Sequence, residues 1–333
     1  MIRMLNFELE AGHVPGGRGE NIMMPQDEHK GYHEPVLLRE AVEFIAPTPG
    51  RLVVDGTLGG GGHSEAFLAA GARVIGIDQD PEALAFASAR IGETGGRFRA
   101  VRANFSEVEQ VLNRLDIGPI DGGLLDLGVS SWQLDTAARG FSFMREGALD
   151  MRMDPAAATT AADIVNNASA EQLEGIFRNF GEEPAARRIA QRIVAAREKR
   201  PFATTLELAG VVEQASPRRG RTHPATRVFQ ALRIAVNREL EALTEALEQF
   251  GRRLTPGGRL GVITFHSLED RIVKHYFKER STEWIDRPEW PQPRANPLRI
   301  FKLLTPKPVI PGEEEQQRNP RSRSAKLRIV EKI

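Results

Sequence analysis

The feature that most limits how this chain can fold is the run Arg51-Leu-Val-Val-Asp-Gly-Thr-Leu-Gly-Gly-Gly-Gly-His63. Leu52–Val54 is short, apolar and β-branched, which predicts a buried parallel strand ending at Asp55. Gly59 to Gly62 follow without interruption, and His63-Ser-Glu-Ala-Phe-Leu68 then opens a helical pattern. Strand, glycine turn and helix in that order make the first half of a nucleotide-binding βαβ unit. Glycine lacks Cβ, so backbone there can approach a ligand closely and adopt positive φ without strain.

A second apolar run, Arg73-Val-Ile-Gly-Ile-Asp78, ends on a carboxylate suited to a ribose diol. A dinucleotide fingerprint also carries an acidic residue about 20 positions downstream. The choice therefore lies between a nicotinamide or flavin cofactor and some other adenosine. The G-x-G-x-x-G register is missing, since Ser64 stands where the third glycine belongs. Asp55 also sits where a pyrophosphate would come close, and a carboxylate within about 4–6 Å of a dianion is unfavourable. The same carboxylate is favourable beside the ammonium and sulfonium of S-adenosylmethionine. Asp55, Asp78 and Asp126 all fall at predicted strand ends, where open parallel sheets bind ligands, so the turn reads as a ligand site.

The chain has 333 residues, enough for one large domain or two ordinary ones. Its 41% hydrophobic and 27% charged residues are those of a soluble globular protein. Lys+Arg and Asp+Glu both number 45, so a nucleic-acid partner must be met by a local patch. The absence of cysteine excludes disulfides, thiolate metal sites and a cysteine nucleophile, and fits a reducing cytoplasm. We expect no metal. No apolar run approaches the roughly 20 residues of a membrane span, and the early acids exclude a secretory signal.

Residues 1–30 are glycine-rich and polar and read as a disordered extension, with Met23 and Met24 as alternative starts. His33–Ile45 predicts a short amphipathic helix. Strands at 52–55, 73–78, 98–102 and 120–126 then alternate with helices at 63–70, 81–91 and 106–115, which predicts a parallel sheet covered on both faces. After Gln133 the alternation stops. From Leu134 to Thr222 the chain shows helix starts at Ser169, Pro184 and Thr205, punctuated by Gly181, Pro201 and Pro217. One helix is predicted from Pro224 to Phe250, striped by Val228, Leu232, Val236, Leu240, Leu243 and Leu247. A hairpin-like turn at Pro256–Gly258 precedes a strand at 259–265 and a helix from Ser267 to about Lys278. Two strands, 298–304 and 326–330, flank a polar, basic loop at 313–324. The expected division is an extension at 1–30, a catalytic sheet domain at 31–133 and 223–333, and a helical insertion at 134–222.

Several further stretches bear on chemistry. Asp126 in Leu124-Leu-Asp-Leu-Gly-Val-Ser-Ser131 faces the expected crevice, and Gln133 lies just beyond it. Phe105 follows the third strand and could wall an adenine, with Ser106 as a helix cap. Arginines alternate with aromatics in Arg139-Gly-Phe-Ser-Phe-Met-Arg145, a pattern suited to single-stranded RNA, although packing over the insertion is an equal alternative. Arg227, Gln230 and Asn237 share a helix face, directed either at phosphate or at the insertion. His266 stands at a strand tip, beside Ser267 and Asp270 in a capping pattern, and a hydrogen-bonded structural histidine is an equal alternative to a functional one. The loop Asn319-Pro-Arg-Ser-Arg-Ser-Ala-Lys326 suits an RNA backbone.

Taken together these blocks resemble the bacterial small-subunit rRNA cytosine-N4 methyltransferases, the RsmH/MraW family. The matching stretches are His33–Leu38, Asp55–His63, Gly76–Pro81, Leu125–Ser131, Arg139–Met144, Asp150–Asp154, His223–Arg227, Phe265–Arg271 and Asn319–Ser324. The resemblance implies a class I (Rossmann-like) S-adenosylmethionine-dependent methyltransferase sheet with an inserted all-helical subdomain that recognises RNA. It implies S-adenosylmethionine as donor and a cytidine of the 16S rRNA decoding region, in the small ribosomal subunit, as acceptor. Carried over by position, the cofactor contacts are Gly61, Gly62, His63, Asp78, Phe105, Asp126 and Gln133, to which the strand-tip argument adds Asp55. Ala148 stands where relatives often have proline, and the N-terminal extension is long. Asp126 is the first candidate for the group that receives the amine proton and His266 the second, with Ser130 or Ser131 orienting the base. The Asp/Asn-Pro-Pro-aromatic tetrad of many amine methyltransferases is absent after Leu125. Competing readings are an RNA-binding ribosome-assembly factor and, less favoured, a nicotinamide-dependent dehydrogenase.

Overall fold

The computed structural model describes residues 35–216 and 223–333. The extension at 1–30, the histidine of the His33 block and Pro217 lie outside them.

The first half of the sheet follows the sequence reading. β1 (Leu52–Asp55) is buried along its whole length, as a central parallel strand requires. It is preceded by α1 (Leu38–Ile45) and followed by α2 (Gly62–Ala69), β2 (Arg73–Asp78), α3 (Pro81–Ile91) and β3 (Phe98–Arg102). A 3-10 turn at Phe105–Glu107 then leads into α4 (Val108–Arg114) and β4 (Ile120–Asp126). α3 begins where the sequence places it because Asp80 accepts from the N–H of Glu82 and Pro81 occupies the first turn.

After the short α5 (Ser131–Asp135), the chain forms α6 (Ala161–Asn167), α7 (Ala170–Gly181), α8 (Ala186–Arg197), α9 (Thr205–Ala215) and α10 (Ala225–Asn237). α6, α7 and α9 each start with a reciprocal capping box, led by Thr160, Ser169 and Thr204. Their apolar faces meet in a core of their own. It includes Phe177, Ile189, Leu208, Val228 and Leu232, with Phe141, Leu149 and Met151 from the segment after α5.

The helix expected from 224 to 250 is two helices, α10 and α11 (Glu239–Arg253), separated by Arg238 in the left-handed conformation at φ 50°. The predicted stripe serves two cores: Val228 and Leu232 pack with the helices, Leu243 and Leu247 with the sheet. A straight rod cannot reach both, so the chain turns at Arg238.

The sheet is completed by β5 (Leu254–Thr264), β8 (Phe301–Leu303) and β9 (Lys326–Lys332). Between β5 and β8 lie α12 (Ser267–Ser281) and a small hairpin of β6 (Trp284–Ile285) with β7 (Arg294–Ala295). Strand order is β3-β2-β1-β4-β5-β9-β8, with β9 antiparallel to both its neighbours and the first five strands parallel. Pro256-Gly-Gly258 is a bulge inside β5, since the pairing jumps from Leu254 opposite Ile120 to Arg259 opposite Gly122. The loop at 313–324 contains α13 (Glu313–Arg318) and a 3-10 turn at Pro320–Ser324.

Period-two alternation covers both faces. Val53 and Val74 point to α1 and α2, while Val54, Ile75 and Ile77 point to α4, α11 and α12. Among the described residues no helix is long and apolar enough to cross a membrane.

Candidate functional site

Three aspartates stand at the carboxyl ends of β1, β2 and β4; Asp78 and Asp126 line one cavity and Asp55 does not. Asp78 lines the cavity and is held from behind: its Oδ2 accepts the N–H of Gly59 at 2.8 Å and its Oδ1 that of Asp80 at 2.9 Å. Burial raises its carboxyl to about 6. Asp55 lies beneath the turn. Ser64 Oγ donates to its Oδ2 at 2.7 Å and the N–H of Thr57 to its Oδ1 at 3.3 Å. Its side chain is almost wholly buried, and burial, only partly offset by Ser64, raises it to about 6 as well. Asp55 was expected as a cofactor contact; the structure instead uses it to fix the turn.

Asp126 completes the set. Its N–H donates to Thr57 Oγ1 at 2.6 Å, which joins β4 to the turn after β1. The carboxyl lines the cavity, and its Oδ1 is buried with no hydrogen-bond partner. Burial first, then Asp55, Glu269 and Glu315, push it well above the usual carboxylate range. His63 Nδ1 lies 3.8 Å from its Oδ2. The other ring nitrogen, Nε2, is 3.1 Å from the carbonyl of Val36, which can only accept, so Nε2 carries the hydrogen and Nδ1 offers a lone pair. Burial lowers His63 to about 4. It is neutral and leaves the charge of Asp126 uncompensated.

The glycines have separate jobs. Gly61 takes φ 78° as the residue before α2, and a Cβ there would press on Ala87 and Ile91 of α3. A Cβ on Gly62 would fall 2.2 Å from Cγ of Pro35. Gly62 and His63 line the cavity and Gly61 does not. Phe105 lines it from the far side of β2, half-buried at the head of a 3-10 turn. That turn is capped by Asn104, not by Ser106 as expected: Asn104 Oδ1 accepts from the N–H of Ser106 at 3.0 Å.

Gln133 reaches the cavity wall with its amide committed. Oε1 accepts from the N–H of Ser130 at 3.0 Å and Nε2 donates to Asp80 Oδ2 at 2.9 Å. The same Asp80 oxygen meets Arg139 Nη1 at 2.8 Å. Arg139 also bonds Glu82 and the carbonyls of Arg152 and Met153. Sequence reasoning missed Asp80, whose cue was its place just before Pro81.

His266 does not line the cavity. It caps α12, accepting from the N–H of Glu269 at Nδ1, while its Nε2 lies 3.1 Å from Glu269 Oε1. Burial works to raise the Glu269 carboxyl, but His266, Arg233 and the N–H of Phe265 outweigh it and hold it below the usual range. Glu239, His266 and Glu269 bring three donor atoms within 4.8 Å, a spacing that would suit a metal. Arg233 supplies positive charge there, with bonds of 2.8 Å to both oxygens of Glu239. Glu269 and Glu239 line the cavity, as do Ser130, Ser131, Asn319 and Arg321. Of the last two, Arg321 Nη2 is held by Asp135 at 2.8 Å while its Nη1 is buried without a partner.

The interleaved segment after α5 packs inward. Phe141 is buried, Phe143 stacks on His223 and Phe229, and Arg152 pairs with Asp150. Only Met144, Arg145 and Glu146 form an exposed tip. Arg227, Gln230 and Asn237 likewise bond the insertion, through the carbonyls of Glu182, Phe180 and Met151.

The donor set fits a positively charged adenosyl compound. It offers one orphaned carboxyl oxygen, a second anchored carboxylate, a neutral histidine and an aromatic wall, while the two arginines on the lining, Arg90 and Arg321, are paired with Glu65 and Asp135. Sheet order and site together define a class I, S-adenosylmethionine-dependent methyltransferase.

Comparison with known proteins narrows the class. A family model described as the MraW methylase family matches residues 30–333, and the chain belongs to that family. It is 51% identical over 308 residues to a protein of Trichlorobacter lovleyi named ribosomal RNA small subunit methyltransferase H, covering 91% of this chain and 98% of that one. A protein of the same name from Carboxydothermus hydrogenoformans is 49% identical over 304 residues, with coverage of 90% and 98%. Among solved structures, an rRNA methylase from Streptococcus thermophilus aligns with TM-score 0.39 and 12% identity, covering 89% of this chain and 93% of that one.

Proposed function

We propose that this chain methylates the N4 amine of a cytidine in the decoding region of 16S rRNA, with S-adenosylmethionine as donor. The observation that carries the reading is the buried, unpartnered Oδ1 of Asp126, opening on a cavity that the glycine turn walls on the other side. The small-subunit rRNA methyltransferases with which the chain shares half its residues support the acceptor.

When bound, S-adenosylmethionine supplies a methyl carbon whose bond to sulfur breaks as an amine lone pair reaches it, the bonding electrons remaining on sulfur. Asp78 keeps lone pairs free for the hydroxyls of a ribose, and the ring of Phe105 offers a face to adenine. Asp55, hydrogen-bonded to Ser64 and Thr57, holds the turn in register.

Cytosine N4 is a poor nucleophile because its lone pair is delocalised into the ring. Asp126 Oδ1 accepts a hydrogen bond from N4–H, turns the remaining lone pair toward the methyl carbon, and takes the proton as the N–C bond forms. Holding the two reactants in line contributes roughly 7–11 kcal/mol of barrier lowering. The base must leave its stack to reach the cavity, which costs least where RNA is already partly single-stranded.

The test is methylation of small subunits from a deletion strain with labelled donor, followed by mass spectrometry of the digested RNA. One labelled N4-methylcytidine is expected. Label on another base, or none, overturns the reading.

A further inference from the structure

We propose that the groove between α8 and the start of α10 binds the phosphate backbone of the substrate RNA, so that the helical part holds the strand whose base enters the cavity. The proposal rests on an RNA substrate and names the surface that grips it.

The sequence of α8, Ala-Arg-Arg-Ile-Ala-Gln-Arg-Ile-Val-Ala-Ala-Arg, contains arginines and no acid. Ala186, Ile189, Ala190 and Ile193 face the helical core, which leaves Arg187, Arg188, Gln191 and Arg192 exposed on the opposite side. Among the described residues none of these three guanidinium groups has an ion pair or a hydrogen bond. Exposed arginines nearby are matched: Arg178 with Glu174, Arg200 with Glu207, Arg271 with Glu182. Arg188 and Arg192 are also four residues apart, a like-charge spacing that destabilises a helix by a few tenths of a kcal/mol. Folding alone gives no reason for this arrangement.

Arg187, Arg188 and Gln191 line a groove of about 800 Å³, closed on its other side by His223 and Arg227. Three acids lie close. Glu182 feels Arg227 but is paired with Arg271 at 3.0 Å. Glu183 is buried and turned onto its own helix start, where Oε1 accepts from the N–H of Ala185 at 2.9 Å. Glu213 stands 3.9 Å from His223. The balance on the groove remains positive.

The lining selects the partner. Arginine's planar fork matches phosphate oxygens in pairs, and glutamine donates to phosphate or sugar. The apolar members, Pro184, Ala185 and Pro224, provide none of the large anchors that protein interfaces use. Among the described residues no phenylalanine, tyrosine or tryptophan lines the groove, and the ring of His223 is already packed on Phe143, so the groove reads backbone and not base identity. Apart from Arg145 at the exposed tip, the arginines of the segment after α5 are bonded within the protein, whereas those of α8 are left to act outward.

The experiment compares the wild-type chain with R187E/R188E and with the charge-keeping R187K/R188K. Anisotropy of a labelled decoding-region RNA is read across a salt series, beside calorimetry of S-adenosylmethionine. Reversal should weaken RNA binding at least tenfold and flatten the dependence of log affinity on log salt by about 1.4–1.8, the contribution of two phosphate contacts. Donor affinity should stay within twofold, and the lysine variant should keep the wild-type slope. Equal affinity and slope in the reversed variant overturn the groove. So does a loss seen with intact subunits but not with RNA, which assigns the groove to a protein partner. A wild-type chain that binds the donor and methylates no RNA overturns the functional reading itself.

Discussion

The hydroxyl of Ser64 donates to Oδ2 of Asp55 across 2.7 Å, and this bond ties the first turn of α2 to the tip of β1. It explains why serine stands where a dinucleotide fold has its third glycine. The bond holds the turn, but it does not fully offset the burial of Asp55, whose carboxyl is raised to about 6.

That elevation makes the ligand-free protein sensitive to pH. A carboxyl near 6 folded and near 3.8 unfolded binds its proton more tightly in the folded state. Its penalty is therefore absent below the unfolded value, grows as pH rises toward 6, and is complete above it. The difference of about two units corresponds to about 3 kcal/mol. The ligand-free protein should melt higher at pH 5 than at pH 7.5. In D55N that gap should narrow without vanishing, because Asp78 is raised in the same way. An unchanged gap by calorimetry would contradict the assignment.

Asp126→Asn should lower kcat by roughly 10²–10⁴, with donor affinity changing less than tenfold. The ionised form is the one that accepts a proton, so wild-type kcat should climb with pH through the elevated carboxyl and then level off. The asparagine variant should lose that limb. Full turnover in D126N would remove Asp126 from the chemistry.

A methyl group at Gly62 has nowhere to go, since Pro35 already fills its place. Gly62→Ala should cost about 1–3 kcal/mol, the usual range for overpacking. Gly118→Ala, where a Cβ meets nothing within 4 Å, is the control and should be nearly neutral. Urea midpoints of the two variants decide the matter.

Arg139 is the cation for Asp80, which is 1% exposed. R139M leaves that carboxylate with the amide of Gln133 and the N–H of Glu82 but no cation, and should destabilise by roughly 3–5 kcal/mol. Adding D80N should recover a large part of the loss. Additive destabilisation in the double variant would show that the two residues do not act as a pair.

What the sequence disclosed depended on how local the cause was. β1 to β4 and α3 were readable to the residue because apolar runs, Asp80 and Pro81 fix their ends within a few positions. The break at Arg238 was not, since one continuous stripe serves two cores and nothing local says where the allegiance changes. Asp78, Asp126, Phe105 and His63 line one cavity because it opens where strands end, and strand ends are set locally. The bonds that occupy Gln133 and Arg139 arise from Asp80, more than fifty positions earlier. His266 stayed open between a chemical and a structural role because its partner, Glu269, is visible only as the other half of a helix cap. The arginine–aromatic segment stayed open between two readings for a related reason: composition cannot tell a side chain facing water from one facing the next helix.

The position of β4 has a consequence for the order of assembly. It pairs on one side with β1, made earlier, and on the other with β5, which begins at Leu254 after seven intervening α-helices, α5 to α11. A nascent chain emerging from its N-terminus can close half of the sheet and leaves the β4 edge open throughout synthesis of α6 to α10. Those helices bury their own apolar residues against each other, so they can collapse while β4 still waits for its second neighbour.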